Sequence, residues 1–190
     1  MKAEDKIYNT FLELKGQKPY YNLIKEHSKL SHSSLQNCLE KLKKESIIRE
    51  EKTKSNTFYN IKDKKIFSLK FSEIAIRKFN KLHPNVKIPL KNFLKNITQD
   101  IYTIVLFGSA SRKEETKESD IDLLIVSNKR LDLTKNKKEA EITSIHPISL
   151  FQADIIQFKE NKDHVIIQAR KTGFPIHKEQ NFYEAILDEY

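Results

Sequence analysis

Apolar positions along the 190 residues change period twice. From Asp5 to Lys15 they recur at helical spacing, at Ile7, Phe11 and Leu14, and Gly16 closes the pattern, which predicts a first helix. After Pro19, Tyr20–His27 predicts a short second helix. Residues 29–46 predict a third, with Ser31 as N-cap, Leu35, Cys38, Leu39 and Leu42 inward, and Ser33, Ser34, Asn37 and Lys41 on the opposite face. The runs Ile47–Lys52 and Thr57–Lys62 read as two short strands, and Thr53–Asn56 between them is a hairpin signal. A lysine-rich amphipathic stretch, Phe71–Leu82, predicts a connecting helix ending before Pro84, and residues 88–98 predict another.

The period then changes again. Ile101–Phe107 is almost continuously apolar and reads as a buried strand, Gly108 turns the chain, and a second apolar run, Ile121–Val126, is entered through Asp120 and Asp122. Because strand side chains alternate, the two carboxylates share one face. Ile145–Phe151 predicts the next strand. The tail predicts a helix ending at Gly173, an extended Phe174–His177 and a last helix with Phe182, Ile186 and Leu187 inward.

Composition narrows the class. No run of about 18 apolar residues and no secretory leader is present in the sequence, so the expectation is a cytoplasmic protein without a membrane partner. One cysteine, Cys38, excludes an internal disulfide and a cysteine-clustered zinc site. Net charge is +9, and residues 1–64 carry fourteen Lys and Arg against nine Asp and Glu, which points the front of the chain toward a polyanion.

Ser109, just past a strand and Gly108, stands where backbone N–H groups at a helix start attract anions. Two carboxylates beside such a turn suit Mg²⁺ with a triphosphate, since Mg²⁺ takes one or two carboxylates together with phosphate oxygens and water.

Gly108-Ser109, ten residues and then Asp120-x-Asp122 resembles the nucleotidyltransferase superfamily typified by DNA polymerase beta, above all its minimal nucleotidyltransferase branch. The resemblance implies that Gly108, Ser109 and Arg112 hold the nucleotide, that Asp120 and Asp122 bind Mg²⁺, and that NMP passes from an NTP, with ATP one candidate, to an acceptor hydroxyl or phosphate. Lys113 stands where the family commonly has glycine. Family enzymes add a third carboxylate as metal ligand and base. Asp154 is the better candidate and Glu141 the other, but Asp154 equally suits the start of a helix carrying Phe158; His146 lies beside the same place. Minimal nucleotidyltransferases often modify a partner protein, so a protein acceptor is implied; a further alternative is an RNA-modifying transferase that holds RNA through the basic front of the chain.

Three helices followed by a hairpin in residues 1–64 resembles the winged helix-turn-helix family of transcriptional regulators. That implies double-stranded DNA as partner, with Ser33, Ser34, Gln36, Asn37 and Lys41 in the major groove, Lys52, Lys54 and Asn56 on the wing, and a homodimer on paired half-sites. Glu45-Ser46-Ile47 departs from the family, which usually has glycine there. The fold class expected is α/β (α+β): a winged helix over 1–64, connecting helices over 65–98 and a nucleotidyltransferase domain over 99–190. The alternative is a DNA-binding regulator whose second domain is catalytically incomplete and senses nucleotide.

Overall fold

The computed structural model describes residues 2–116 and 118–187. Met1, Lys117 and residues 188–190, the last of them the end of the segment expected to be the nucleotidyltransferase domain, lie outside the described residues. The chain divides into two compact units, one running to Ile74 and resuming at Tyr183, the other Ala75–Phe182.

In the first unit α1 (Ala3–Glu13), α2 (Tyr21–Ser28) and α3 (His32–Lys44) precede the antiparallel strands β1 (Ile48–Lys52) and β2 (Thr57–Ile61). Ser31 caps α3 by accepting from Ser34 N at 3.3 Å. At the other end of α3, Ser46 takes φ +58°, with Ser46 N donating to Lys43 O and Ile47 N to Leu42 O, both at 2.9 Å. These are the two bonds of a Schellman ending, built on a serine where glycine is the ordinary choice.

Next comes α4 (Lys64–Asn80), which starts seven residues before the Phe71 expected from periodicity. Asp63 Oδ1 accepts from Ile66 N at 2.9 Å and caps it there. The early turns of α4 bring Phe67 into the core, with its ring edge-on to Tyr8 at 5.1 Å and to Phe11 at 5.2 Å; Phe71 stacks edge-on to Phe67 at 5.5 Å. Both rings are fully buried, so the segment expected to be a linker from residue 65 supplies core to the first unit.

The second unit is built on a mixed four-stranded sheet of order β5-β4-β3-β6. Its elements are α5 (Pro84–Leu94), β3 (Ile101–Phe107), α6 (Gly108–Arg112), β4 (Ile121–Ser127), α7 (Thr134–Glu141), β5 (Ile148–Ala153), α8 (Ile155–Glu160), α9 (His164–Thr172), β6 (Phe174–His177) and α10 (Glu179–Ile186), whose end belongs to the first unit. α5 begins at Pro84, four residues before the expected 88, because proline at the first helical position loses no bond and His83 Nδ1 accepts from Asn85 N at 3.3 Å.

Strands β3 and β4 run antiparallel and β4 and β5 parallel. Ile104, Val105, Leu106, Ile121, Leu123 and Ile125 are fully buried, which is why both runs read as continuous apolar sequence. Among the described residues no helix is long and apolar enough to cross a membrane.

Candidate active site

The register puts Phe107, Asp122 and Ser149 side by side across β3, β4 and β5. Directly paired residues project from one face, so Asp122, Asp120 two positions earlier, and Ser149 share it. Ser149 Oγ donates to Asp120 Oδ2 at 2.8 Å.

Gly108 explains its own place in the motif. It takes φ +72°, and a Cβ there would overlap Asp122 Oδ2 and sit 3.2 Å from Asp122 Cγ. Only glycine both turns the chain this way and leaves room for the carboxylate against its Cα. The turn is tied from several sides: Arg112 Nη1 donates to Gly108 O at 3.1 Å, Arg112 Nε pairs with Glu114 Oε2 at 2.7 Å, and Ser111 Oγ donates to Gly108 O at 2.8 Å. Arg112 is therefore engaged with the turn itself. Ser109 is half-exposed at the start of α6.

Asp122 is half-buried beside a second carboxylate. Burial first, and the charge of Asp120 second, push its acid above the ordinary carboxylate range. A cation between the two side chains would relieve both effects.

Residues 89–181 match the family model "Polymerase beta, Nucleotidyltransferase". The matched segment runs from within α5 to within α10 and contains β3, the Gly108-Ser109 turn, β4 and β5. The match supports the nucleotidyltransferase superfamily for this part of the chain, and that family suggests transfer of a nucleotide from an NTP substrate with a divalent metal such as Mg²⁺. No curated protein and no solved structure matches the chain.

The chain's own donors fit such an ion in part. Asp120 and Asp122 form the carboxylate pair that Mg²⁺ takes together with phosphate oxygens. Among the described residues no group of three or more His, Cys, Asp or Glu is gathered that could hold a metal alone.

Asp154 does not join Asp120 and Asp122. β5 ends at Ala153, opposite Val126, while Asp122 is opposite Ser149. Asp154 thus lies five positions past Ser149, roughly 16 Å along the strand direction. It caps α8 instead: Asp154 Oδ1 accepts from Gln157 N at 2.7 Å and Gln157 Oε1 accepts from Asp154 N at 3.1 Å, a capping box. Glu141 closes α7 and pairs with Lys137 at 3.6 Å. His146 is buried, and its Nδ1 lies 3.0 Å from Ser119 O, bracing the loop that enters Asp120.

Sequence reasoning missed Ser149, because a lone serine in an apolar strand carries no signal until register shows its neighbours. It also missed Phe151, on the same face two residues later.

In the first unit, Ser33, Gln36 and Asn37 are exposed on α3 and Ser34 is half-buried. Lys41 on that helix is held by Glu4 at 2.9 Å and lies 3.8 Å from Glu45. Lys52 pairs with Glu50 at 3.1 Å, Lys54 is exposed in the hairpin turn, and Asn56 N donates to Thr53 Oγ1 at 3.0 Å.

Proposed function

We propose that the second unit is a Mg²⁺-dependent nucleotidyltransferase that moves NMP, with AMP the first candidate, from an NTP to an acceptor hydroxyl or phosphate. The observation that carries this is the fit of Gly108 against Asp122: a glycine with positive φ makes room for a half-buried carboxylate paired with Asp120. Asp120 and Asp122 hold the ion, and Gly108, Ser109 and Arg112 shape the turn that receives the phosphates. A divalent ion held by Asp120 and Asp122 would supply neutralisation of phosphate charge, favouring attack of the acceptor oxygen on the α-phosphorus with pyrophosphate as the leaving group. Ser149 fixes Asp120 through its hydrogen bond to Oδ2 and leaves the other oxygen of that carboxylate for the ion. The first unit, in this reading, is a winged helix that binds double-stranded DNA through Ser33, Ser34, Gln36 and Asn37 on α3 and through Lys52 and Lys54 at the hairpin, with Lys41 following once it leaves Glu4.

Purified protein with Mg²⁺ and each α-³²P-labelled NTP, alone and with lysate of its source cells, tests the activity. Label on a macromolecule with wild type, and none with Asp120→Asn/Asp122→Asn, is the expected result. Equal labelling by the double variant would refute the assignment.

A specific observation favours a second reading, a DNA-binding regulator with a nucleotide-sensing domain. Ser149, and no acid, is the β5 residue paired with Asp122, while Asp154 is committed to capping α8. Metal-dependent NTP binding without any transfer is its signature.

A further inference from the structure

Phe151 is a large aromatic residue left 37% exposed on β5. It lies one pleat repeat past Ser149, about 7 Å along the strand, on the face that carries Asp122. Its ring packs at a tilt against Phe107, with centroids 5.6 Å apart, and Phe107 is the register partner of Asp122 on the other side. The Phe107 ring is buried, so it backs Phe151 and leaves the outer ring surface open.

That surface faces a cleft of ≈ 620 Å³ whose walls include Leu124, Val165 and Ile166, with Lys162 and Asp163 also lining it. Asp163 is occupied in capping α9, accepting from Val165 N at 2.8 Å and Ile166 N at 3.3 Å, so it is spent on structure. Gln152 and Gln157 line it too, bound respectively to Leu131 and within the Asp154 capping box, as does Glu160, paired with Lys162 at 3.4 Å, so what the cleft leaves for a base is a flat aromatic face and aliphatic walls. Its size falls in the range of small-molecule sites, and flat π-faces take nucleobases of any identity by stacking.

The geometry points to Phe151 as the platform on which the base of the NTP stacks, with the triphosphate toward Asp120 and Asp122. This rests on the reading of those two carboxylates as the metal and phosphate end. Stacking rather than edge hydrogen bonding sets the recognition, so purine and pyrimidine triphosphates both enter, purines more tightly through their larger face.

The chain has no tryptophan, which makes Phe151→Trp a single fluorescent reporter at the platform. Mg²⁺ with ATP is expected to quench it, and Mg²⁺ with tripolyphosphate, which has no base, to leave it bright. By calorimetry, Phe151→Leu, which keeps an apolar group against Phe107, is expected to weaken ATP and CTP on the order of tenfold and to leave tripolyphosphate unchanged. Phe151→Ala gives the same ranking, and circular dichroism checks that each variant is folded. If Phe151→Leu and Phe151→Ala bind ATP like wild type while Asp120→Asn/Asp122→Asn does not, the platform is wrong and the phosphate site stands. Equal quenching by tripolyphosphate also overturns the platform. If wild type binds neither nucleotide nor tripolyphosphate, the functional reading falls with it.

Discussion

Asp122 and Asp154 stand at opposite ends of the parallel pair β4 and β5, and their surroundings differ in kind. Asp154 lies at the surface and gives its carboxylate to Gln157 N, so its charge does structural work at a helix start. Asp122 is held half-buried against Gly108 and beside Asp120, where burial and like charge both work against ionisation. A carboxylate kept where ionisation is costly is the stronger sign of a binding role than one whose oxygens serve the backbone. Position in the strand order, rather than residue type, separates them.

The largest effect that would break this contrast is expected at Gly108. Gly108→Ala forces a side chain into φ +72° and into the space of Asp122 Oδ2. We expect a loss of about 2 kcal/mol or more in urea unfolding and at least tenfold weaker binding of Mg²⁺ with ATP by calorimetry. Wild-type stability and binding in this variant would remove the reason for the glycine.

Asp154→Ala probes the other end. Losing the capping box should cost about 1 kcal/mol of stability, read by the same unfolding experiment, with nucleotide affinity unchanged. Asp154→Asn, which keeps a capping oxygen, should recover most of that loss.

A gain of similar or smaller size tests the role of glycine at positive φ from the opposite direction. Ser46 adopts φ +58° without glycine and without a carboxylate to accommodate. Ser46→Gly should stabilise the protein by up to about 1 kcal/mol, and a decrease in the urea midpoint would show that the serine makes a contact worth more than the strain.

The smallest effect concerns His177 on β6, whose Nε2 is buried without a hydrogen-bond partner among the described residues. Burial first, and Lys178 second, hold its pKa below the ordinary 6.5. The folded state thus favours the neutral ring: its contribution to stability is full above the unfolded value and is lost as pH falls through the folded one. Thermal unfolding should show wild type losing more stability than His177→Gln on acidification below about pH 6.5. Parallel losses in the two proteins would contradict that sign.

Much of this was legible in the sequence, unevenly. The strand–turn–strand core was readable because Ile101–Phe107 and Ile121–Val126 are almost continuously apolar, with Asp122 intruding in the second run and Asp120 just before it. Three helices and a hairpin were readable from the spacing of Ile7, Phe11, Leu35, Leu39 and Leu42 and from Thr53–Asn56. Helix starts fared worse: periodicity missed the onsets of α4 and α5, though Asp63 and Pro84 carried the signals. Asp154 three residues before Gln157 is likewise a capping-box spacing, and the start of a helix carrying Phe158 was legible there beside the reading as a third acid. Ser149 and Phe151 had no such cue, since only the pairing of β4 with β5 brings them to the carboxylates.

The most direct test compares Asp122→Asn and Asp154→Asn side by side for equilibrium binding of ATP with and without Mg²⁺. The account predicts that Asp122→Asn loses the Mg²⁺-dependent part of binding and that Asp154→Asn keeps it in full. Retained Mg²⁺-dependent binding in Asp122→Asn, or its loss in Asp154→Asn, would contradict the assignment of the site.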